Sequence, residues 1–158
     1  MANQSYEWLK KHSSYIGPVV NKNVIDYWEN KQSEKNGFKI ELPEDFKYFL
    51  MNIGNGYRTK EISRYFNIRS LNDIKIFDDD NILENDCYTC KTVNEPIDFA
   101  IIGEIQQGEY AYILILTGDH KGEIAMWIDG CEIMYLNRKF YEEIERIVKN
   151  KSFWDKVD

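Results

Sequence analysis

Apolar positions recur at helical spacing most plainly within residues 42–57, where Phe46, Phe49, Leu50 and Ile53 fall at i, i+3, i+4 and i+7. Pro43 suits the first helical position, where a missing N–H is no loss, and Glu44 and Asp45 put negative charge at the positive end of the helix dipole. Lys47 and Asn52 fall on the other side of the helix from this stripe. Gly54, Asn55 and Gly56 all tolerate positive φ, so the helix stops there and the chain turns. Nothing in this segment is chemically reactive, and its pattern is that of a scaffold.

Upstream, Tyr6, Leu9 and Lys10 keep a loose helical spacing before the break at Gly17-Pro18. A second helix is expected from Asn23, taken as its cap, with Val24, Ile25 and Trp28 on the apolar side and an end in the polar residues 31–37. Phe38, Ile40 and Leu42 alternate, which predicts an extended lead into the Pro43 helix. Downstream, residues 65–69 read as a short strand and Ser70-Leu71-Asn72-Asp73 as a capping box opening a brief helix. Residues 78–96 have no period and read as a loop.

From Ile97 the period changes to two. Residues 97–102 form an apolar run, and residues 109–116 are apolar on both alternating faces, which predicts a central strand covered on both sides. Residues 123–128 and 131–136 flank Asp129-Gly130, a two-residue hairpin signal. Gly103 and Gly108 bracket an expected turn between strands. Phe140, Ile144, Ile147 and Val148 mark a closing helix, and Phe153, Trp154 and Val157 an apolar tail that docks. The expected fold class is α+β: one domain over residues 1–158, with a mainly antiparallel sheet that meanders in the C-terminal half, flanked by N-terminal helices and a C-terminal helix.

Composition narrows the function classes. The chain has 158 residues, 43% apolar and 15% aromatic, which excludes disorder, and no apolar run approaches the ~18 residues needed to cross a bilayer. The N-terminal residues lack the order of a secretory signal and three cysteines cannot all pair, so a reducing cytoplasm is the expected location. A net charge of -7, from 27 acidic and 20 basic side chains, repels nucleic acid and acidic membranes and favours a basic protein partner. Lys10-Lys11 and Arg138-Lys139 are isolated basic pairs, too few for nucleic-acid binding. The carboxylates Asp78, Asp79, Asp80, Glu84 and Asp86 fall together in the aperiodic segment and are the candidate protein-binding residues, able to steer a cationic partner.

One arrangement resembles metal or redox chemistry. Cys87 and Cys90 form a CxxC, which Cys131 and His120 would complete to a four-ligand zinc set. There is no second CxxC, and the motif follows an acidic loop instead of opening a helix after a strand, so the preferred reading is of unpaired thiols with no cofactor. The alternative of a small metal-binding or thiol-dependent protein stands beside it. The two histidines, His12 and His120, are framed by no catalytic signature, and His120 reads as an exposed hairpin residue. No enzymatic role is expected.

The order of these signals resembles the SUKH superfamily, which includes the yeast cell-wall-synthesis regulator and many bacterial immunity proteins of polymorphic toxin systems. The resemblance runs over about 24–147. It is carried by residues 24–29, Leu42-Pro43 with Phe46 and Phe49-Leu50, Asn55-Gly56, Ile68-Arg69-Ser70-Leu71-Asn72-Asp73-Ile74, Phe99-Ala100-Ile101-Ile102-Gly103, Gly108-Glu109-Tyr110, Gly122-Glu123-Ile124 and residues 140–144. Tyr57 stands where the family often has a second glycine, and Gly108-Glu109 where Gly-Asp is common, departures that bear on the subfamily. The resemblance implies a non-catalytic α+β domain that binds a protein, in bacteria typically a cognate toxin; the chain itself is expected to be a monomer or weak homodimer. The same scaffold also serves regulation.

Overall fold

The computed structural model describes residues 2–59, 66–77, 97–105, 110–128 and 132–149. Within them the chain forms α1 (Ala2–Lys11), β1 (Ser13–Ile16), α2 (Lys22–Asn36), α3 (Glu44–Asn52), β2 (Tyr57–Thr59) and β3 (Phe66–Ile68). A single 3-10 turn (Leu71–Asp73) is followed by β4 (Lys75–Phe77), β5 (Phe99–Ile105), β6 (Tyr110–Ile115), β7 (Glu123–Ile128), β8 (Glu132–Lys139) and α4 (Phe140–Lys149). The fold class is α+β, with an eight-stranded sheet whose main path runs β1-β2-β3-β5-β6-β7-β8 and whose eighth strand, β4, pairs with β5 off that path. All its pairings are antiparallel, and β5 to β8 form the expected meander.

β5 organises the sheet. One edge pairs with β6, and the other is shared end to end by β4 at Phe99 to Ile101 and β3 at Gly103 to Ile105. The Arg69 N–H donates to the Ile102 carbonyl at 2.7 Å, beside the register shift in β5 between Ile101 and Gly103. Gly103 lies inside this strand, not at a turn: a Cβ there would stand 2.2 Å from the Asn67 carbonyl oxygen, so only glycine lets β3 approach.

The sheet is apolar on both faces, as the pattern of residues 109–116 requires. Tyr112 and Leu114 join the larger core with the helices, while Ile113 and Ile115 join a second cluster with Ile97, Phe99, Ile101 and Ala125. In the larger core the rings of Phe46, Phe49, Tyr57 and Phe140 meet mostly edge to face. Phe46, Phe49, Leu50 and Ile53 are all buried, as are Phe140, Ile144 and Ile147.

Several local expectations are corrected. Pro43 is the N-cap, with ψ of 153°, and the helix starts at Glu44. Of the three turn residues only Gly56 has positive φ, 108°. Gly54 is needed for closeness instead, since its Cβ would lie 2.4 Å from the Ile16 side chain and 2.7 Å from the Gly17 carbonyl oxygen. Asn21, not Asn23, caps α2, its side chain accepting from the Val24 N–H at 3.1 Å, and Val24 is exposed. Lys47, off the apolar stripe, is nevertheless buried: its Nζ lies 3.5 Å from the Glu29 carboxylate, which also accepts the Leu42 N–H at 2.6 Å. The strands β1, β2 and β4, of three or four residues each, add to the expected elements.

Candidate protein-binding surface

Large apolar side chains left in solvent are concentrated near the N-terminus. Of the six strongly exposed ones among the described residues, four are Tyr15 (53%), Val19 (54%), Val24 (44%) and Tyr27 (69%). Val24 and Tyr27 lie three apart on α2 and so share one helix face, while Tyr15 and Val19 lie in the strand and connection that lead into it.

The backbone under this strip is pinned. Gly17 N–H donates to the Gly56 carbonyl (3.0 Å), Val20 N–H to that of Leu50 (3.1 Å), and Asn55 N–H to that of Pro18 (3.2 Å). A Cβ on Gly17 would meet the Asn55 carbonyl oxygen at 2.1 Å, so that glycine allows the close pass. α2 is anchored through Ile25, Trp28 and the Glu29–Lys47 pair. Exposed apolar groups held on a fixed backbone lose little freedom when a partner covers them.

A charged hub joins β6, β8 and α4. The Glu143 carboxylate is buried and accepts from Arg138 Nε at 2.8 Å, Arg146 Nε at 2.9 Å and the Tyr112 hydroxyl at 3.3 Å. Burial, reinforced by the adjacent carboxylate, pushes the Tyr112 hydroxyl well above the usual phenol range. The hydrogen bond to Glu143 raises the Arg146 guanidinium further still.

A cleft of ≈ 270 Å³ lies among Glu41, Leu42, Pro43, Glu44, Lys121 and Gly122. Its carboxylates already have partners, Lys39 on Glu41 at 3.5 Å and Lys47 on Glu44 at 3.6 Å.

The candidate binding residues Asp78, Asp79, Asp80, Glu84 and Asp86 lie outside the described residues. So do Cys87, Cys90 and Cys131, the tail with Phe153, Trp154 and Val157, and the hairpin residues Asp129 and Gly130. His120 is described and is not a freely exposed side chain. Its Nδ1 lies 2.6 Å from the Glu123 carboxylate and its ring stacks on Tyr135 at 4.4 Å. His12 stacks on Trp8 at 3.9 Å. Among the described residues no group of three His, Cys, Asp or Glu side chains is placed to hold a metal, and no helix is long and apolar enough to cross a membrane. The strip and the hub escaped sequence reasoning. Val24 counted toward an apolar face that turned out to be Ile25 and Trp28, and Arg138 read as half of an isolated basic pair.

Fold and surface together define an α+β domain with helices over one face of an antiparallel meander and four exposed apolar side chains within residues 15–27, on a backbone held by hydrogen bonds. The family model SUKH_6, described as SMI1-KNR4 cell-wall, matches residues 28–150, and the chain belongs to this SUKH family. No curated protein and no solved structure matches the chain. The family match begins just after Tyr27, so the apolar strip precedes the matched span and the Glu143 hub lies within it.

Proposed function

We propose that the protein is a non-catalytic binding module of immunity type, which neutralises a cognate toxin domain by covering it. The observation that carries this reading is the strip Tyr15, Val19, Val24 and Tyr27, exposed on a pinned backbone in a chain of this family. Tyrosine suits such a role because it brings a large, stiff, amphipathic contact at little entropic cost. The strip's place before the matched span agrees with a partner-specific function laid on a shared scaffold.

The test is co-expression with toxin domains encoded beside the gene. The wild-type chain should restore growth against one of them. Val19→Ser with Tyr27→Ser should abolish that protection while unfolding free energy stays within about 0.5 kcal/mol, as surface substitutions usually do. Protection undiminished in the double variant would remove the strip from the interface, and protection against no toxin would overturn the immunity reading.

Asp78, Asp79, Asp80, Glu84 and Asp86 are proposed to supply long-range steering toward a basic toxin surface, in keeping with the net charge of -7. Changing them to Asn and Gln should slow association and flatten its salt dependence, because such steering is screened beyond ~8 Å at physiological ionic strength. Dissociation should change little. A stopped-flow salt series reads this directly, and a wild-type rate and slope in the neutralised chain would exclude the segment.

A further inference from the structure

On the helix-covered face, pairing registers set the side chains of β6, β7 and β8 in rows. Tyr112, Met126 and Met134 form one row, and Ile124 with Arg138 the next. Along β7 these rows are two residues apart, ~7 Å, so Met126 lies diagonally beside Arg138, while a register shift between Ile124 and Ala125 leaves Met134, the cross-strand partner of Met126, four residues from Arg138 along β8. Ile124 is buried, but Met134 remains 41% exposed and Met126 and Leu136 are only partly covered.

Beside this shelf stand two guanidiniums that share one carboxylate. Glu143 uses both oxygens on Arg138 and Arg146, so this trio of side chains keeps one positive unit in a chain of net charge -7. The Arg138 and Arg146 side chains stay 31% and 39% exposed, and Arg138 engages Glu143 through Nε alone, so its outer N–H groups bond no other described residue. Arginine held in a fixed orientation presents a planar fork that matches a carboxylate, and methionine adapts its shape to apolar neighbours.

We infer that Arg138 and Arg146, together with Met126 and Met134, form a second docking surface, which takes a partner segment presenting a carboxylate next to apolar side chains. Charge complementarity selects the acidic group: the buried Glu143 fixes the two cations but neutralises only one. The methionine row sets the apolar requirement. This inference does not depend on the partner being a toxin.

Small probes carrying the two features separately test it on the full chain, labelled at the methionine methyls and arginine Nε groups for NMR. Hexanoate should shift Arg138, Arg146, Met126 and Met134 together along one saturating curve. Acetate, which lacks the apolar tail, should need roughly tenfold more for the same saturation, and hexylammonium should give no saturable shift. Arg138→Lys, which keeps the charge but loses the fork, should weaken hexanoate binding, and Arg138→Gln should abolish it. Absence of a saturating hexanoate curve, equal shifts from hexylammonium, or a wild-type curve in both Arg138 variants would overturn the inference and leave the arginines as a clamp on Glu143.

Discussion

Replacing Phe49 with alanine should lower the unfolding free energy by about 3–5 kcal/mol, the usual range for truncating a fully buried aromatic. The ring is completely buried and meets Tyr6 of α1 at 5.9 Å, Tyr57 of β2 at 6.5 Å and Phe140 of α4 at 5.4 Å between centroids. One side chain therefore joins three elements to α3. The cavity left by alanine cannot collapse easily, because the carbonyl of Phe49 also accepts the N–H groups of Ile53 and Gly54 and holds the end of the helix in place. Urea denaturation should show the loss as a lower midpoint with an unchanged slope. A wild-type midpoint would mean that the ring does not hold these elements together.

Stability should also collapse in alkali, by about 4 kcal/mol between pH 9 and pH 11. Tyr6, Tyr57 and Tyr112 are each buried, and burial pushes all three hydroxyls far above their ordinary range. Tyr57 donates to the Leu9 carbonyl at 2.8 Å and Tyr112 to Glu143, bonds that need the proton. Tyrosine in the unfolded chain ionises near pH ~10. Because the folded-state values are raised, the stabilisation is complete below that point and is lost as pH rises through it, at about 1.4 kcal/mol per pH unit for each tyrosine. Urea midpoints from pH 8 to 11 measure the fall, and tyrosinate absorbance should rise together with unfolding. If all eleven tyrosines ionise while the fold persists, the three hydroxyls are not sequestered.

The elements that could be read from the chain were those whose own length carries a period. α3, α4 and the four strands from β5 to β8 each repeat an apolar spacing over enough residues to be seen without a partner. β1, β2 and β4 have three or four residues, too few for any period, and become strands only because a neighbour offers a hydrogen-bonding edge. The polar positions show the same divide. Asp45 reads locally as a charge at a helix start, yet its Oδ2 also accepts the Tyr141 N–H at 3.0 Å and so caps α4 from 96 positions away. Lys47 reads as lying off the apolar stripe and is buried all the same, where Glu29 on another helix supplies its counter-charge.

The candidate surfaces divide along the same line. The overall negative charge, the α+β class and the scaffold character of residues 42–57 follow from residue types and near-neighbour spacing, which act wherever the chain happens to lie. Which apolar residues stay in water could not be decided that way. Val24 and Ile25 are adjacent and similar, and only the packing of α2 buries one and exposes the other. The Glu143 hub likewise required the turn from β8 into α4 to bring Arg138 back onto the helix, while β6 carried Tyr112 beneath it. A period records which way a residue faces along its own element; what meets that face depends on contacts between residues distant in the chain, and those exist only once the sheet has assembled.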